Sequence, residues 1–313
     1  MPSNQILPRI GLALSGGTLK AAAHIGVLQA LEKLNIRPDF IAGTSAGAFV
    51  GTLYAHGYTI PELRRLVDRF PGPSLFDYGF PLLSSLYNLL RLRLGLRGGV
   101  AQNFLPLPRG LLLGNRLQSY FRRSLGARSA RLPYAIVATD LYSGSPVVFS
   151  NDNKLIESQG ATCITDVVSC LRGSCALPGV LTPVSLEKWL LVDGALRHYV
   201  PVEVLRQAGC DKIIVVNLNR LESAWQPTTL INVLTRSFDI LLEETIEDDL
   251  AGEDVFLLQP DVSQVTWVSF SELHACLNAG RTVVEQQRDA LIRFLHASPP
   301  VQRHRSTRLR PLA

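Results

Sequence analysis

Gly43-Thr44-Ser45-Ala46-Gly47 is the stretch around which the rest of the chain has to be arranged. It follows the short apolar run Asp39-Phe40-Ile41-Ala42 and opens a stretch, Ala46 to His56, that reads as helix. Strand, G-x-S-x-G turn and helix in immediate succession leave the backbone little choice. A serine at the tip of such a turn is held in a strained position with its hydroxyl pointing out of the fold. The two glycines leave room for backbones to pass close by. The helix aims its N-terminal N–H groups and positive dipole end at the same spot. Taken alone, the pentapeptide is also compatible with an ordinary glycine-rich β–α turn.

A second glycine-rich turn lies about thirty residues earlier. Ile10 to Ser15 reads as a buried strand, Gly16-Gly17-Thr18 as the turn, and Lys20 to Leu34 as a helix with Ala23, Val27, Ala30, Leu31 and Leu34 on one face. Asn35-Ile36-Arg37-Pro38 ends that helix, and the strand before Ser45 follows. This is a β–α–β unit with short loops, so a parallel sheet is expected, with both turns at the carboxyl ends of their strands. Gly16 to Lys20 can present successive backbone N–H groups as an anion nest. Facing Ser45, that nest would hold an oxyanion. A dinucleotide fingerprint would need glycines where Thr18 and Ala21 stand, and a P-loop needs a Gly-Lys-Ser/Thr that is absent.

Further along, Pro61 to Phe70 and Leu117 to Leu125 read as short helices, and Leu132 to Thr139 as a strand ending at Asp140. Val147 to Ser150 is expected as the next strand and Asp166 to Leu171 as a short helix. Ser174 to Gly179 should be irregular, because Pro178 and Pro183 oppose helix. Lys188 to Val192 reads as a strand that delivers Asp193-Gly194-Ala195. An aspartate there suits a general base on a tight turn, or a plain Asp-Gly hairpin. Pro201 to Ala208 reads as helix and Lys212 to Leu218 as a buried strand, so the alternation continues through about residue 218. Ile231 to Leu250 is a helix whose acidic run, Asp239, Glu243, Glu244, Glu247, Asp248 and Asp249, is expected to be a solvated face. Ser271 to Leu295 reads as helix interrupted at Gly280.

The chain has 313 residues, is 47% hydrophobic and only 18% charged, so it is globular with ample core. Its net charge of +5 is carried by arginine, since only five of the 31 basic residues are lysine. Between Asp77 and Asp140 there is no acidic residue but there are nine arginines. Within that interval Leu82 to Leu96 combines nine leucine or tyrosine positions with Arg91 and Arg93. The pattern fits a basic amphipathic helix on a membrane surface, a cap over the site, or a core helix with solvated arginines. The five cysteines include no Cys-x-x-Cys pair and read as reduced residues of a cytoplasmic protein. No signal peptide is evident, and no run of about 18 uncharged apolar residues suggests a membrane span.

Several blocks now coincide in order. Gly11 to Leu28, Gly43 to Gly47, Ala138-Thr139-Asp140-Leu141, Ser174 to Gly179, Asp193-Gly194-Ala195, Pro201-Val202 and Pro260-Asp261 together resemble the patatin-like phospholipase family in its bacterial form. The resemblance covers about residues 9–296. It implies one catalytic domain with the family's α/β fold, a three-layer sandwich with a mostly parallel central sheet flanked by helices. A Leu/Arg-rich cap or membrane-facing segment would fall at about 80–110, and a basic disordered tail at 297–313. The implied activity is that of a serine lipid acyl hydrolase acting through an acyl-enzyme on phospholipids or other fatty-acyl esters. Ser45 would be the nucleophile and Asp193 the base of a Ser–Asp dyad. Gly16, Gly17 and Thr18 would bind the oxyanion, supported by Lys20, Gly43, Gly47 and Gly194.

There are departures from the family pattern. Glycine is usual where Thr18 and Ala21 stand; the Thr18 amide still donates provided its backbone need not adopt positive φ. Asparagines often follow the Asp-Gly pair, where this chain has His198-Tyr199. His198 is the one histidine near a candidate acid. No metal or other cofactor is expected, since no His/Asp/Cys cluster has ligand spacing. Nucleic acid is not an expected partner, because the arginines lack interleaved aromatics. Peripheral contact with an anionic membrane is expected through 82–97 and the tail. An acyltransferase, or a lipid-binding protein of the same fold without turnover, is the alternative.

Overall fold

The computed structural model describes residues 8–78, 110–221, 230–263, 265 and 269–297. The Leu/Arg-rich segment at 82–97 and the basic tail lie outside the described residues. In chain order the elements are β1 (Ile10–Leu14), α1 (Ala22–Lys33), β2 (Phe40–Thr44), α2 (Ala46–Ala55), α3 (Ile60–Asp68), β3 (Gly110–Leu112), α4 (Asn115–Leu125), β4 (Tyr134–Asp140) and β5 (Pro146–Ser150). Then come α5 (Asn153–Glu157), β6 (Thr162–Cys163), α6 (Val167–Ser174), β7 (Gly179–Leu181), β8 (Val184–Leu186) and β9 (Trp189–Asp193). The last are α7 (Val202–Gln207), β10 (Lys212–Val216), α8 (Leu230–Leu250), β11 (Val255–Leu258), α9 (Leu273–Gln286) and α10 (Arg288–His296).

The central sheet runs β11-β10-β1-β2-β4-β5-β6. Its five strands from β11 to β4 are parallel, and their near-continuous apolar sequences are what burial on both faces demands. Alternation along each strand divides the core in two. Leu12, Leu14, Ile41 and Ile136 point to the side packed by α1, α2 and α9. Ala13, Phe40, Ala42 and Val137 point to the side packed by α7 and part of α8. The result is the three-layer α/β arrangement with a mostly parallel sheet.

The regular β–α alternation expected through residue 218 does not hold on the far side of β4. There β5 returns antiparallel as a hairpin, and β9, with β8 beside it, also pairs antiparallel. For β5 the physical reason is the short turn that joins it to β4; for β9 it is a vacated edge. β2 pairs β4 only as far as Thr44 opposite Val137, because the chain then turns into α2. The next residue of β4, Ala138, pairs with Asp193. Strand β9 therefore fills the hydrogen-bonding edge that β2 abandons, and consecutive residues of β4 carry Ser45 and Asp193 to the same place.

Two further expectations are corrected. The helix expected from Lys20 begins as a 3₁₀ turn, Thr18–Ala21, that passes into α1. Gly280 does not interrupt a helix; α9 runs through it and the break comes at Gln287. Gly280 is instead a contact point. A Cβ there would lie 2.0 Å from the Ala23 carbonyl oxygen, and one on Gly26 would lie 1.9 Å from that of Leu277. Hydrogen atoms at these two positions let α1 and α9 cross backbone to backbone. Gly280→Val is expected to destabilise the protein by about 1–3 kcal/mol through overpacking, read from the midpoint of urea unfolding; an unchanged midpoint would contradict this packing. No helix among the described residues is long and apolar enough to cross a membrane.

Candidate active site

Ser45 joins β2 to α2 with φ 53° and ψ −124°, a conformation that non-glycine residues adopt only when their surroundings impose it. The surroundings are visible. Gly47 lies so close to β1 that a Cβ would meet the Ser15 carbonyl oxygen at 2.3 Å. The first turn of α2 therefore presses on the end of β1, and Ser45 takes up the bend. Gly43, the last residue but one of β2, is buried on the other side of the elbow.

The hydroxyl of Ser45 donates to Asp193 Oδ2 at 2.8 Å. Both residues are buried, at 8% and 4% exposure, so the contact is shielded from water. Asp193 Oδ1 accepts from the Ala195 amide at 2.9 Å, across the 3₁₀ turn Gly194–Leu196 that ends β9. The Asp-Gly pair thus caps a short helical turn and does not form a hairpin. Burial pushes the Asp193 carboxyl up to about 6, against the opposing pull of the Ala195 N–H and the Ser45 hydroxyl. A carboxylate tuned this way is a better proton acceptor than a solvated one and is still mostly ionised at neutral pH.

Gly16, Gly17 and Thr18 line the same cavity as Ser45 and Asp193. A Cβ on Gly16 would lie 3.6 Å from the Ser45 Cβ, which places the loop directly against the elbow. Thr18 adopts φ 50°, so the positive φ that its sequence made undesirable is nevertheless used. The Gly16, Gly17 and Thr18 amides donate to no other group among the described residues. Lys20 is half-buried on the cavity wall. Near it stands Asp239, whose carboxyl is raised by burial against the pull of Lys20 and Arg236.

That position overturns the reading of α8 as a uniformly solvated acidic face. Asp239 lines the cavity, Glu243 Oε2 accepts from Asn219 Nδ2 at 2.9 Å, and Asp249 faces His198. His198 therefore belongs to α8 and not to Ser45: its Nδ1 is 3.9 Å from Asp249 Oδ1, and its carbonyl accepts from Thr44 Oγ1 at 2.7 Å.

The cavity encloses about 440 Å³ and is walled mainly by apolar side chains, among them Phe49, Leu63, Phe70, Phe121, Leu181 and Leu242. It therefore joins a buried hydroxyl–carboxylate pair to a space suited to a hydrocarbon chain. No group of three or more His, Cys, Asp and Glu side chains among the described residues is arranged to hold a metal ion.

Four contributors were not legible beforehand. Ser174 Oγ accepts from the Ser45 amide at 2.8 Å and donates to the Val137 carbonyl, so the last residue of α6 ties the elbow to β4. Cys175, next along the chain, lines the cavity with its thiol pushed up to about 12 by burial and by the Asp193 charge. Tyr199 and His24 hold the loop opposite, donating to the carbonyls of Gly16 and Ser15. The signal for Tyr199 was its place where the resembled family often carries asparagine.

Comparison with known proteins follows the same lines. The chain is 28% identical over 223 residues to an uncharacterized NTE family protein of Mycobacterium tuberculosis, covering 69% of this chain and 51% of that protein. It is 27% identical over 214 residues to Lysophospholipase NTE1 of Candida glabrata, covering 68% of this chain and 11% of that one. It thus spans about half the length of the NTE family relative, and far less of the yeast protein. The crystal structure of VipD from Legionella pneumophila aligns over 90% of this chain and 67% of its own, at 14% identity and a TM-score of 0.45. The family model described as Patatin-like phospholipase matches residues 12–206, which include Ser45 and Asp193 and make up more than half of the sequence. The chain belongs to the patatin-like phospholipase family.

Proposed function

We propose that this protein is a serine lipid acyl hydrolase, of phospholipase A, lysophospholipase or esterase type, working through a Ser45–Asp193 dyad. The observation that carries the reading is the 2.8 Å hydrogen bond from the Ser45 hydroxyl to Asp193, buried at the wall of an apolar cavity of about 440 Å³. Membership of the family, and a lysophospholipase among the relatives, support a lipid ester as substrate.

The fatty chain lies against the apolar wall, and the ester carbonyl rests between Ser45 and the Gly16–Thr18 loop. Asp193 takes the hydroxyl proton as Ser45 Oγ attacks the carbonyl carbon. The oxygen of the tetrahedral intermediate, now negative, is held by the loop amides and favoured by the positive end of α2. As the intermediate collapses, the ester C–O bond breaks and the departing alkoxide takes the proton from Asp193. A water then repeats the sequence on the acyl-enzyme: Asp193 accepts its proton, the fatty acid leaves, and Ser45 is re-protonated. The membrane contact inferred for 82–97 and the tail would deliver the protein to its substrate surface.

The test is release of fatty acid from mixed phospholipid vesicles and from a short-chain nitrophenyl ester, with covalent labelling by an alkyl phosphonate mapped by mass spectrometry. Hydrolysis of both substrates, and a label on Ser45 alone, are expected. A folded protein that binds vesicles but neither hydrolyses nor takes the label would replace this reading by a lipid-binding one.

A further inference from the structure

The oxyanion-binding role rests on three amides in a loop that contains two consecutive glycines. Rotating the peptide between Gly16 and Gly17 changes only ψ of one glycine and φ of the next, and glycine resists neither change. A flipped peptide would present a carbonyl oxygen to the cavity where an N–H is needed, turning attraction for an anion into repulsion. Some group outside the loop has to choose between the two orientations.

A trans peptide is planar, with its C=O and N–H pointing in opposite directions, and the described chain has no cis bond. Whatever holds a carbonyl therefore aims the N–H of the following residue. Three consecutive carbonyls are held in this way. His24 Nε2 is 2.9 Å from the Ser15 oxygen, which aims the Gly16 N–H. The Tyr199 hydroxyl donates to the Gly16 oxygen at 3.0 Å, which aims the Gly17 N–H. The Lys20 amide donates to the Gly17 oxygen at 3.0 Å, which aims the Thr18 N–H.

The first two donors come from side chains that are rigidly placed. His24 is fully buried in α1, and burial holds its ring down to about 4, so it is neutral and Nε2 carries the proton that the Ser15 carbonyl accepts. Tyr199 is 5% exposed, and its ring lies 3.0 Å from where a Gly16 Cβ would be. The Ser15 hydroxyl adds a local bond to the same Gly16 oxygen and is itself fixed by the Leu218 amide. The three carbonyls are thus all engaged, while the amides donate to nothing among the described residues and the loop lines the cavity.

We propose that Tyr199, together with His24, is a positioning residue that locks the Gly16–Gly17–Thr18 peptides with their N–H groups toward the reacting oxygen. This rests on the hydrolase reading above. His24 lies outside the cavity lining and Tyr199 is part of it; in this scheme each acts through the backbone carbonyl it holds. The effect should appear where negative charge develops on oxygen and not where neutral substrate binds.

The test is Tyr199→Phe, which keeps the ring and removes the O–H. With the short nitrophenyl ester, kcat is expected to fall about tenfold, less than the hundredfold or more for outright loss of an oxyanion donor, while KM stays within about twofold. A long-chain alkyl trifluoromethyl ketone accepts Ser45 Oγ at its carbonyl carbon while the serine proton passes to Asp193, and the carbonyl oxygen becomes an oxyanion in the hole. Its affinity should fall by the same factor as kcat/KM. The methyl ketone of the same chain, bound without addition, should keep its affinity. Equal weakening of both ketones, or kcat and trifluoromethyl-ketone affinity both unchanged, would overturn the proposal. If Tyr199→Phe does not fold, His24→Gln and His24→Leu carry the test. Glutamine can still donate to the Ser15 carbonyl, so it should retain clearly more kcat than leucine, and equal rates would overturn the proposal. The hydrolase reading fails separately, and takes this inference with it, if wild-type protein shows no Ser45-dependent hydrolysis.

Discussion

Ser45→Ala is expected to lower ester hydrolysis by about 10⁴-fold or more, as removal of an activated serine nucleophile does elsewhere, without unfolding the protein. The hydroxyl donates to Asp193, and that carboxylate keeps its bond from the Ala195 amide when the hydroxyl is removed. Alanine leaves the elbow as strained as before, because the strain lies in φ 53° and any Cβ feels it. Ser45→Gly should therefore be as inactive as Ser45→Ala but more stable by about 1 kcal/mol. Initial rates on the nitrophenyl ester and urea unfolding of both variants check the two halves separately. Activity within tenfold of wild type in either variant would remove Ser45 from the mechanism. Equal stability of the two would remove the strain from the elbow.

Asp193→Asn is expected to abolish hydrolysis to a similar degree and to stabilise the fold at neutral pH. Asparagine can still accept from the Ala195 amide, and its NH₂ can meet the Ser45 oxygen, so the geometry survives while the base is lost. The sign of the stability change follows from the raised carboxyl, about 6 in the folded protein against 3.8 for a free aspartate. Between those values the folded protein binds a proton that the unfolded chain has released. The buried carboxylate therefore costs nothing below pH about 4, costs progressively more up to about 6, and its full cost persists above that. A shift of this size corresponds to roughly 2–3 kcal/mol. Asp193→Asn should match the wild type in unfolding free energy near pH 4 and exceed it by about that amount at pH 7.5. In the wild type, kcat/KM should rise with pH through about 6 as Asp193 loses its proton. A stability difference independent of pH, or a rate profile flat through that region, would show that Asp193 does not titrate as its burial demands.

The two variants would also show the site to be less stable than an unconstrained one. A serine with positive φ and a buried carboxylate with no ion pair among the described residues both cost folding free energy. The surrounding sheet imposes them.

Much of the local structure follows from the sequence because it depends on neighbours along the chain. The apolar runs of β1, β2 and β10, the glycine turns after β1 and β2, and the helices α1 and α2 all rest on periodicity and turn chemistry within a dozen residues. The same locality makes Ser45 stand out, since an elbow is written in five consecutive residues. Family membership was legible too, because its blocks recur in order. By its own neighbours Asp193 read as a general base on a tight turn or as a plain Asp-Gly hairpin, and the ordered resemblance favoured the first.

The tertiary structure decided what depends on residues far apart. That Ala138 pairs with Asp193 one step after Val137 pairs with Thr44 is a matter of strand register, which no local pattern encodes. The antiparallel entry of β9 had the same cause: an edge left open by one strand can be filled by any strand that reaches it, whereas β5 returns on the opposite edge of β4 through a short turn. Gly280 looked like a helix breaker because its sequence neighbours are helix formers, yet its reason is the Ala23 carbonyl 257 positions earlier in the chain. The charged face of α8 looked solvated because most such faces are. Only the packed fold shows that Asp239 turns inward to the cavity beside Lys20. Tyr199 reaches Gly16 across 183 residues. Residue types disclose what chemistry a chain can do; which of those residues meet, at what distance and how far from water, is settled by long-range packing.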